Sequence, residues 1–178
     1  MTTQDNETLT LDNEPTATTT RRPRQRPAHI GLTVTAELMQ VRESTDKTIR
    51  DPAACYAELS DLAQLAQEAF TVLTLTAKNR LITRHLCTLG LLDTAPVHPR
   101  EVFRPAVQDS AAAVILAHNH PSGDPTPSAE DLRITRQLID AGTVLGIRVL
   151  DHVIIGRPAD GRPAYLSLRE AGLVTFTP

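Results

Sequence analysis

The segment LAHNHPSGDPTPSAED, residues 116–131, carries side chains that could bind a metal ion and activate a water molecule. His118 and His120 flank an asparagine, and a loop rich in proline and glycine separates them from Ser128 and Asp131. Three interpretations compete for this pattern: a turn followed by a helix cap, a contiguous HNH nuclease signature, and a metal site. The elements on either side of the segment help to decide between them.

The two histidines end a continuous apolar run, AAAVILAHNH at 111–120, which predicts a central strand buried on both faces. Successive side chains of a strand point to opposite faces, so His118 and His120 share one face and Asn119 takes the other. The rigid loop then brings the carboxylate of Asp131 back toward the end of the strand, where α/β sheets place their sites. Two neutral imidazoles and one carboxylate suit Zn²⁺, and three protein ligands leave the fourth position to water, as in catalytic zinc sites.

Ser128 and Asp131 also have a purely structural interpretation. The spacing S-x-x-D is close to a capping box, in which the serine caps a helix and the acid three residues later bonds back to it. The sequence leaves open whether the Ser128 side chain serves as this cap or as a hydrogen-bond donor in catalysis. The nuclease interpretation is rejected, because HNH nucleases are named for three residues dispersed over a ββα unit and not for a tripeptide.

Strands and helices alternate along the chain, which predicts an α/β or α+β fold with helices packed against one sheet. Helices are predicted at 52–64, 98–110 and 128–142. Strands are predicted at 29–38, 69–77, 111–120, 147–156 and 164–168, with a hairpin partner within 78–89. We expect Asp51 to cap the first helix, Pro105 to shorten or kink the second, and Gly142 to stop the third.

The N-terminal segment, residues 1–28, differs in composition from the rest of the chain. It is rich in threonine, asparagine, proline and charge and has almost no large apolar residues, which predicts a disordered tail. Its basic cluster could make weak contact with nucleic-acid phosphates, although a solvated tail is the simpler interpretation. The cluster consists of Arg21, Arg22, Arg24 and Arg26. Residues 29–178 are predicted to form one folded domain of ordinary size.

The overall composition argues against several classes of protein. A net charge of −3 and a pI of about 6.0 argue against a general polyanion binder, and an aromatic content of 3% argues against a base-stacking platform. Cys55 and Cys87 stand outside any C-x-x-C pair and are predicted to be buried thiols of a reducing compartment. Neither a membrane-spanning run nor a secretory signal is visible, so we predict a cytoplasmic protein.

A family resemblance adds to these inferences. The pattern of H-x-H, ten intervening residues and D, with P after the second histidine and S three residues before the aspartate, resembles the JAMM motif of JAB/MPN-domain metalloproteases. The segments VHPREVF, AAAVILAHNHPSGDPTPSAEDLRIT and VLDHVIIG are similar to the RadC family, named for DNA repair, and the similarity covers roughly residues 45–176. This resemblance implies a JAB/MPN fold, a curved sheet flanked by helices, with one zinc ion bound by His118, His120 and Asp131.

The resemblance also implies roles for residues outside the ligand set. Family members use a glutamate at the start of an earlier strand, and the matching residue is Glu68 in QEAF, which would act as general base and then as acid. Sequence chemistry alone does not select it, since Glu58, Glu101 and Glu130 are also available, and Glu101 is the runner-up. Ser128 would donate a hydrogen bond to the tetrahedral oxyanion.

Three functions are compatible with these features. The first is a zinc-dependent hydrolase that acts on a peptide or isopeptide substrate, and the retention of all five motif residues favours it. The second is an accessory protein in DNA repair or recombination whose metal site is silent, and the third is a scaffold that binds a partner. RadC-like proteins commonly carry an N-terminal helix-hairpin-helix module, and the tail predicted in its place weakens the second. His152 in VLDHVIIG is expected to be a structural histidine on a neighbouring strand.

Overall fold

The computed structural model describes residues 47–90, 97–159 and 161–176. These residues form a five-stranded sheet with helices packed on both faces. The helices are α1 (Pro52–Leu59), a 3₁₀ turn (Ser60–Gln64), α2 (Pro99–Gln108) and α3 (Ala129–Leu145). The strands are β1 (Ala69–Leu75), β2 (Leu81–Leu89), β3 (Ala113–Asn119), β4 (Arg148–Ile155) and β5 (Tyr165–Ser167). The tail predicted at 1–28, with its arginine cluster, and the strand predicted at 29–38 lie outside the described residues.

Local sequence signals explain where the first elements begin and turn. Asp51 caps α1 as predicted, with its Oδ1 accepting a hydrogen bond from the Ala54 N–H at 2.7 Å. Pro52 occupies the first turn, where a missing N–H costs nothing. The β1–β2 hairpin turns at Asn79, whose φ of 57° lies in the left-handed region that asparagine adopts more readily than most residues.

The strand order β2-β1-β3-β4-β5 makes β3 the central strand of a mixed sheet. β3 and β4 are parallel, and α3 connects them as the crossover helix, whereas the other neighbouring pairs are antiparallel. All seven residues of β3 are buried, which confirms the prediction of a central strand from its apolar run. The described part of the chain is therefore an α+β domain of the kind that the sequence predicted.

The two faces of the sheet bury separate cores. Val114 and Leu116 of β3 pack in the core beneath α2 and α3, whereas Ile115 and Ala117 pack in the core beneath α1. This alternation continues to the end of the strand, so His118 emerges on the α3 face and Asn119 on the α1 face.

One expectation about where a helix ends requires correction. α3 does not stop at Gly142 but continues to Leu145, and Gly146, with a φ of 68°, ends it. Gly142 is instead a packing position, because a Cβ there would lie 2.5 Å from the carbonyl oxygen of Ile147. α2 contains Pro105 in its interior and ends at Gln108, two residues before the predicted end at 110, so the helix tolerates the loss of one hydrogen bond.

Candidate metal centre

The candidate ligands come from the end of β3 and the first turn of α3. His118 is the last-but-one residue of β3, and the backbone N–H of His120 still donates to the Ile155 carbonyl of β4 at 3.2 Å. The proline-rich loop then turns back, and Ser128 caps α3 so that Asp131 stands in its first turn. The sheet edge and the helix N-terminus therefore face one another across the loop.

The three side chains converge on one point, as the spacing of the motif predicted. Nε2 of His118 lies 3.0 Å from Nε2 of His120 and 3.3 Å from Oδ1 of Asp131. Nε2 of His120 lies 3.6 Å from Oδ2 of Asp131. His118 is 1% exposed, and the side chains of His120 and Asp131 are 18% and 15% exposed. The group could hold a metal ion at the border between the core and the solvent.

A hydrogen bond to the loop orients the ring of His120 toward the other two candidate ligands. Nδ1 of His120 lies 2.7 Å from the backbone oxygen of Asp124, which can only accept, so the ring donates from Nδ1. In its neutral form the His120 ring then presents a lone pair at Nε2 beside the carboxylate of Asp131. A cluster of acceptors at this separation is stabilised by a shared cation, and two imidazoles with one carboxylate form a fitting donor set for a transition metal.

The protein environment sets the charge of each ligand. Burial lowers the pKa of His118 to about 4, so its ring is neutral at pH 7. Burial acts to raise the pKa of Asp131, but the hydrogen bond from His120, the attraction of His118 when that ring is protonated and the hydrogen bonds from Ser128 outweigh it and hold that pKa well below the usual range. The hydrogen bond with Asp131 raises the pKa of His120, although burial opposes it. The site therefore keeps a carboxylate and a neutral imidazole ready at neutral pH.

Ser128 forms the capping box that was one of its two predicted roles. Its Oγ accepts from the Asp131 N–H at 3.1 Å and donates to Asp131 Oδ2 at 2.7 Å, and its own N–H donates to the same oxygen at 2.7 Å. These bonds hold the Asp131 carboxylate toward the histidines. The cap and the candidate metal site thus share Asp131, and the capping role leaves Ser128 at the edge of that site.

Glu68 directly precedes β1, and β1 pairs with β3, the strand that carries His118. The residue as a whole is exposed, but neighbouring atoms partly desolvate its carboxylate, and this raises the pKa of Glu68. The charge of Asp131 raises that pKa further, whereas His120 lowers it. Glu68 is therefore close enough to the ligands to interact with them electrostatically.

The three alternative glutamates form ion pairs with nearby arginine or lysine side chains. Glu101 pairs with Arg100 and Arg104 in the first turn of α2. Ion pairs likewise engage Glu58 with Lys47 and Glu130 with Arg133.

Asn119 has a role that the sequence did not indicate. Its Oδ1 accepts from the Ala69 N–H at 2.8 Å, and its Nδ2 donates to the Gln67 carbonyl at 3.1 Å. These two bonds bracket Glu68 from either side, and Asn119 itself is fully buried. The middle residue of the H-x-H motif thus holds the backbone that carries the candidate base, while the flanking histidines face the candidate metal site. Only the strand pairing, which joins residues about 50 positions apart, reveals this connection.

His152 lies behind His118, on the side away from the other candidate ligands. Its Nε2 is 2.8 Å from His118 Nδ1, and its Nδ1 is 2.6 Å from Oγ1 of Thr135 on α3. Burial lowers the pKa of His152 well below its usual value. The structure thus places His152 on the neighbouring strand, as the sequence predicted, and against the candidate ligand His118.

The remaining sequence predictions concern features away from the site. Cys55 is buried and Cys87 is half-buried, both are free thiols, and burial raises the pKa of each to about 12. Neither thiol is therefore reactive at neutral pH. Within the described ranges, no helix has the length and apolar character needed to span a bilayer. The cytoplasmic location stays a prediction from the sequence.

Comparison with known proteins finds relatives that share the name UPF0758 protein. A UPF0758 protein of Caldanaerobacter subterraneus subsp. tengcongensis is 50% identical over 118 residues, which cover 66% of this chain and 48% of the relative. A UPF0758 protein of Symbiobacterium thermophilum is 46% identical over 148 residues, covering 83% of this chain and 59% of the relative. A third, from Pelobacter propionicus, is 56% identical over 114 residues, covering 64% of this chain and 48% of the relative.

The chain thus spans about half of the length of the curated relatives that it matches, and somewhat more of the second. A family model described as the RadC-like JAB domain matches residues 49–173, which include β1 to β5, the candidate ligands and Glu68. The match covers well over half of the chain and agrees with the mixed sheet and with the His-His-Asp group. This chain belongs to the RadC-like JAB domain family.

Proposed function

We propose that the chain is a zinc-dependent hydrolase of the JAMM type, which cleaves an amide or isopeptide bond. The observation that carries the proposal is the convergence of His118, His120 and Asp131 within 4.8 Å of one another, beside a glutamate with a raised pKa. Two imidazoles and one carboxylate match the ligand set of catalytic zinc sites, in which water takes the fourth position. Membership of a JAB-domain family adds support to this chemistry.

Glu68 would transfer the proton in this reaction. Zinc, when bound, would polarise the scissile carbonyl and lower the pKa of water from about 15.7 toward about 7. The environment already moves the pKa of Glu68 upward, toward the range in which a carboxylate can both accept and return a proton. Its carboxylate would take a proton from the attacking water and deliver it to the leaving amine, a contribution of about 10²–10⁴-fold in typical enzymes.

Ser128 would stabilise the oxyanion that forms on the substrate. Its hydroxyl donates to Asp131 Oδ2 at 2.7 Å, and a rotation about χ1 would redirect that donor into the site. The backbone N–H of Ser128 would continue to hold the same carboxylate oxygen, so Asp131 would stay in place. The loss of one such donor typically costs about 10²–10³-fold in kcat.

The test is hydrolysis of linear and isopeptide-linked fluorogenic peptides by the purified, zinc-loaded protein. We expect cleavage by the wild type and a loss of at least about 100-fold in Glu68→Gln, because an amide does not accept the proton. Glu101→Gln is the matched control, since it makes the same change on α2, and it should retain the wild-type rate. Zinc content is measured in each sample.

The pattern of results separates the parts of the proposal. Full activity of Glu68→Gln would show that the base is misassigned, and loss of activity in Glu101→Gln alone would move the role to that residue. Zinc-loaded wild type that cleaves none of the substrates would contradict the hydrolase proposal itself.

A further inference from the structure

A continuous chain of hydrogen bonds runs behind the candidate metal site and joins two of its ligands. Nδ1 of His118 lies 2.8 Å from Nε2 of His152, and Nδ1 of His152 lies 2.6 Å from Oγ1 of Thr135. The hydroxyl of Thr135 donates to the backbone oxygen of Asp131 at 2.6 Å. The chain begins on β3, crosses β4 and ends on α3, so it spans all the elements that position His118 and Asp131.

The members of this chain are sealed from water. Relative exposures are 1% for His118, 1% for His152 and 0% for Thr135. Phe70 covers the two rings, stacking on His118 at a centroid distance of 6.1 Å and meeting His152 edge-on at 5.4 Å. A solvent molecule has no access to replace a lost partner, so each hydrogen atom must be placed within the chain itself.

The hydrogen positions can be assigned from both ends. A backbone carbonyl only accepts, so the single hydroxyl hydrogen of Thr135 is committed to Asp131, and Oγ1 must accept from the N–H at His152 Nδ1. Nε2 of the neutral His152 ring is then an acceptor, and it receives the N–H at His118 Nδ1. At the other end, a ligand role for His118 Nε2 requires a lone pair there and a hydrogen at Nδ1. The hydrogen positions assigned from Thr135 and those required by a ligand role for His118 therefore agree at both histidine rings.

We propose that His152 and Thr135 are positioning residues that hold His118 in the tautomer with Nε2 free for the metal ion. Metal-bound histidines usually donate their second N–H to a carboxylate, a carbonyl or water. Here a second histidine accepts that bond, and Thr135 fixes the orientation of the second histidine by accepting its N–H. Because the chain ends on the backbone of Asp131, the geometries of the two ligands are coupled. This inference rests on the metal site of the proposed function but not on hydrolysis.

Thr135→Val tests the proposal, because it keeps the shape of the side chain and removes the acceptor for His152 Nδ1. We expect zinc affinity to fall about 10–100-fold, the usual effect of losing an outer partner of a ligand histidine. Thr135→Ser restores a hydroxyl at the same position and should recover affinity to within a few-fold of the wild type. Affinities are measured by competition with a chromophoric chelator.

Thr71→Val is the matched control. Thr71 is also fully buried, and its hydroxyl has no hydrogen-bond partner among the residues described. The same isosteric change at Thr71 should leave zinc affinity unchanged. Equal affinity of Thr135→Val and wild type, or an equal loss in Thr71→Val, would overturn the proposal.

The tautomers give a second readout that a purely structural role would not produce. Long-range ¹H–¹⁵N spectra of the zinc-loaded wild type should show His152 carrying its hydrogen at Nδ1 and accepting at Nε2. A hydrogen on Nε2 of His152 would overturn the proposal, even if Thr135→Val proves too unstable to study. Wild type that binds no zinc would refute the proposed metal site and this inference together, whereas zinc binding without hydrolysis would refute only the proposed activity.

Discussion

Replacement of Asn119 by alanine should destabilise the domain and displace its candidate base. The change removes the acceptor for the buried Ala69 N–H and the donor to the Gln67 carbonyl, at 2.8 and 3.1 Å. A buried donor left without a partner costs about 1–3 kcal/mol. The carbonyl of Gln67 adds less, because that residue is exposed and its oxygen can turn to water. We therefore expect a loss of about 2–4 kcal/mol in the free energy of unfolding, including the small cavity.

Thr71→Ala separates the hydrogen bonds from the cavity. Thr71 of β1 pairs with Ala117 of β3, so their side chains share one face of the sheet. Asn119 stands two residues after Ala117 in β3 and therefore points to that same face. Both side chains are fully buried, but the Thr71 hydroxyl is unpaired among the described residues. In urea denaturation, Asn119→Ala should lose about 1–3 kcal/mol more than Thr71→Ala.

The same pair of variants also connects Asn119 to the site. Asn119→Ala should bind zinc as the wild type does but hydrolyse substrate more slowly, because Glu68 loses the two bonds that flank it. Equal losses of stability in Asn119→Ala and Thr71→Ala would refute the reasoning. Unchanged hydrolysis in Asn119→Ala would show that the hydrogen bonds of Asn119 to the residues on either side of Glu68 do not matter for catalysis.

Two further predictions concern acid and helix packing. Burial lowers the pKa of His118 from 6.5 to about 4, so between these values the unfolded chain takes up a proton that the folded chain does not. Protonation of His118 should therefore lower the stability of the metal-free protein by about 3 kcal/mol as the pH drops from 6.5 to 4. The lowered pKa of His152 acts in the same direction and the raised pKa of His120 opposes it, so His118→Gln should reduce the pH dependence of the urea midpoint without abolishing it. Gly142→Ala should cost about 1–3 kcal/mol in thermal unfolding, because the new Cβ would lie 2.5 Å from the Ile147 oxygen. Gly146→Ala should cost about 1–2 kcal/mol for a different reason, because the φ of Gly146 is 68° and alanine disfavours that region. A pH-independent midpoint, or a neutral Gly142→Ala, would contradict these assignments.

The sequence predicted how the candidate ligands come together because their arrangement depends on local periodicity. An apolar run long enough to be a central strand fixes the faces of its last residues, so His118 and His120 were expected to act together. The S-x-x-D spacing predicted the cap at Ser128, and the cap accounts for how Asp131 returns to the strand end. These features are separated by few residues, and their geometry follows from short-range rules.

Contacts between distant segments could not be predicted in the same way. Gly142 and Gly146 look alike as helix terminators in the sequence, and only the approach of Ile147 shows that Gly142 is a packing position. The bonds of Asn119 to the backbone around Glu68 and the contact of His152 with Thr135 join separate elements of the fold. The choice of Glu68 as candidate base came from the family resemblance, since the chain offers other glutamates of the same chemistry.

Zinc binding by matched variants tests the central claim, that His118, His120 and Asp131 hold a metal ion. Metal analysis of the purified wild type should give about one zinc per chain. Asp131→Asn and His118→Ala should bind zinc far more weakly, whereas Glu68→Gln should keep it, because Glu68 stands outside the ligand group. Asp124→Asn is the control, since Asp124 lies in the same loop and an asparagine can still accept the hydrogen bonds from Thr126. Equal zinc content in wild type, Asp131→Asn and His118→Ala would contradict the account, and so would a loss of zinc in Glu68→Gln as large as that in Asp131→Asn.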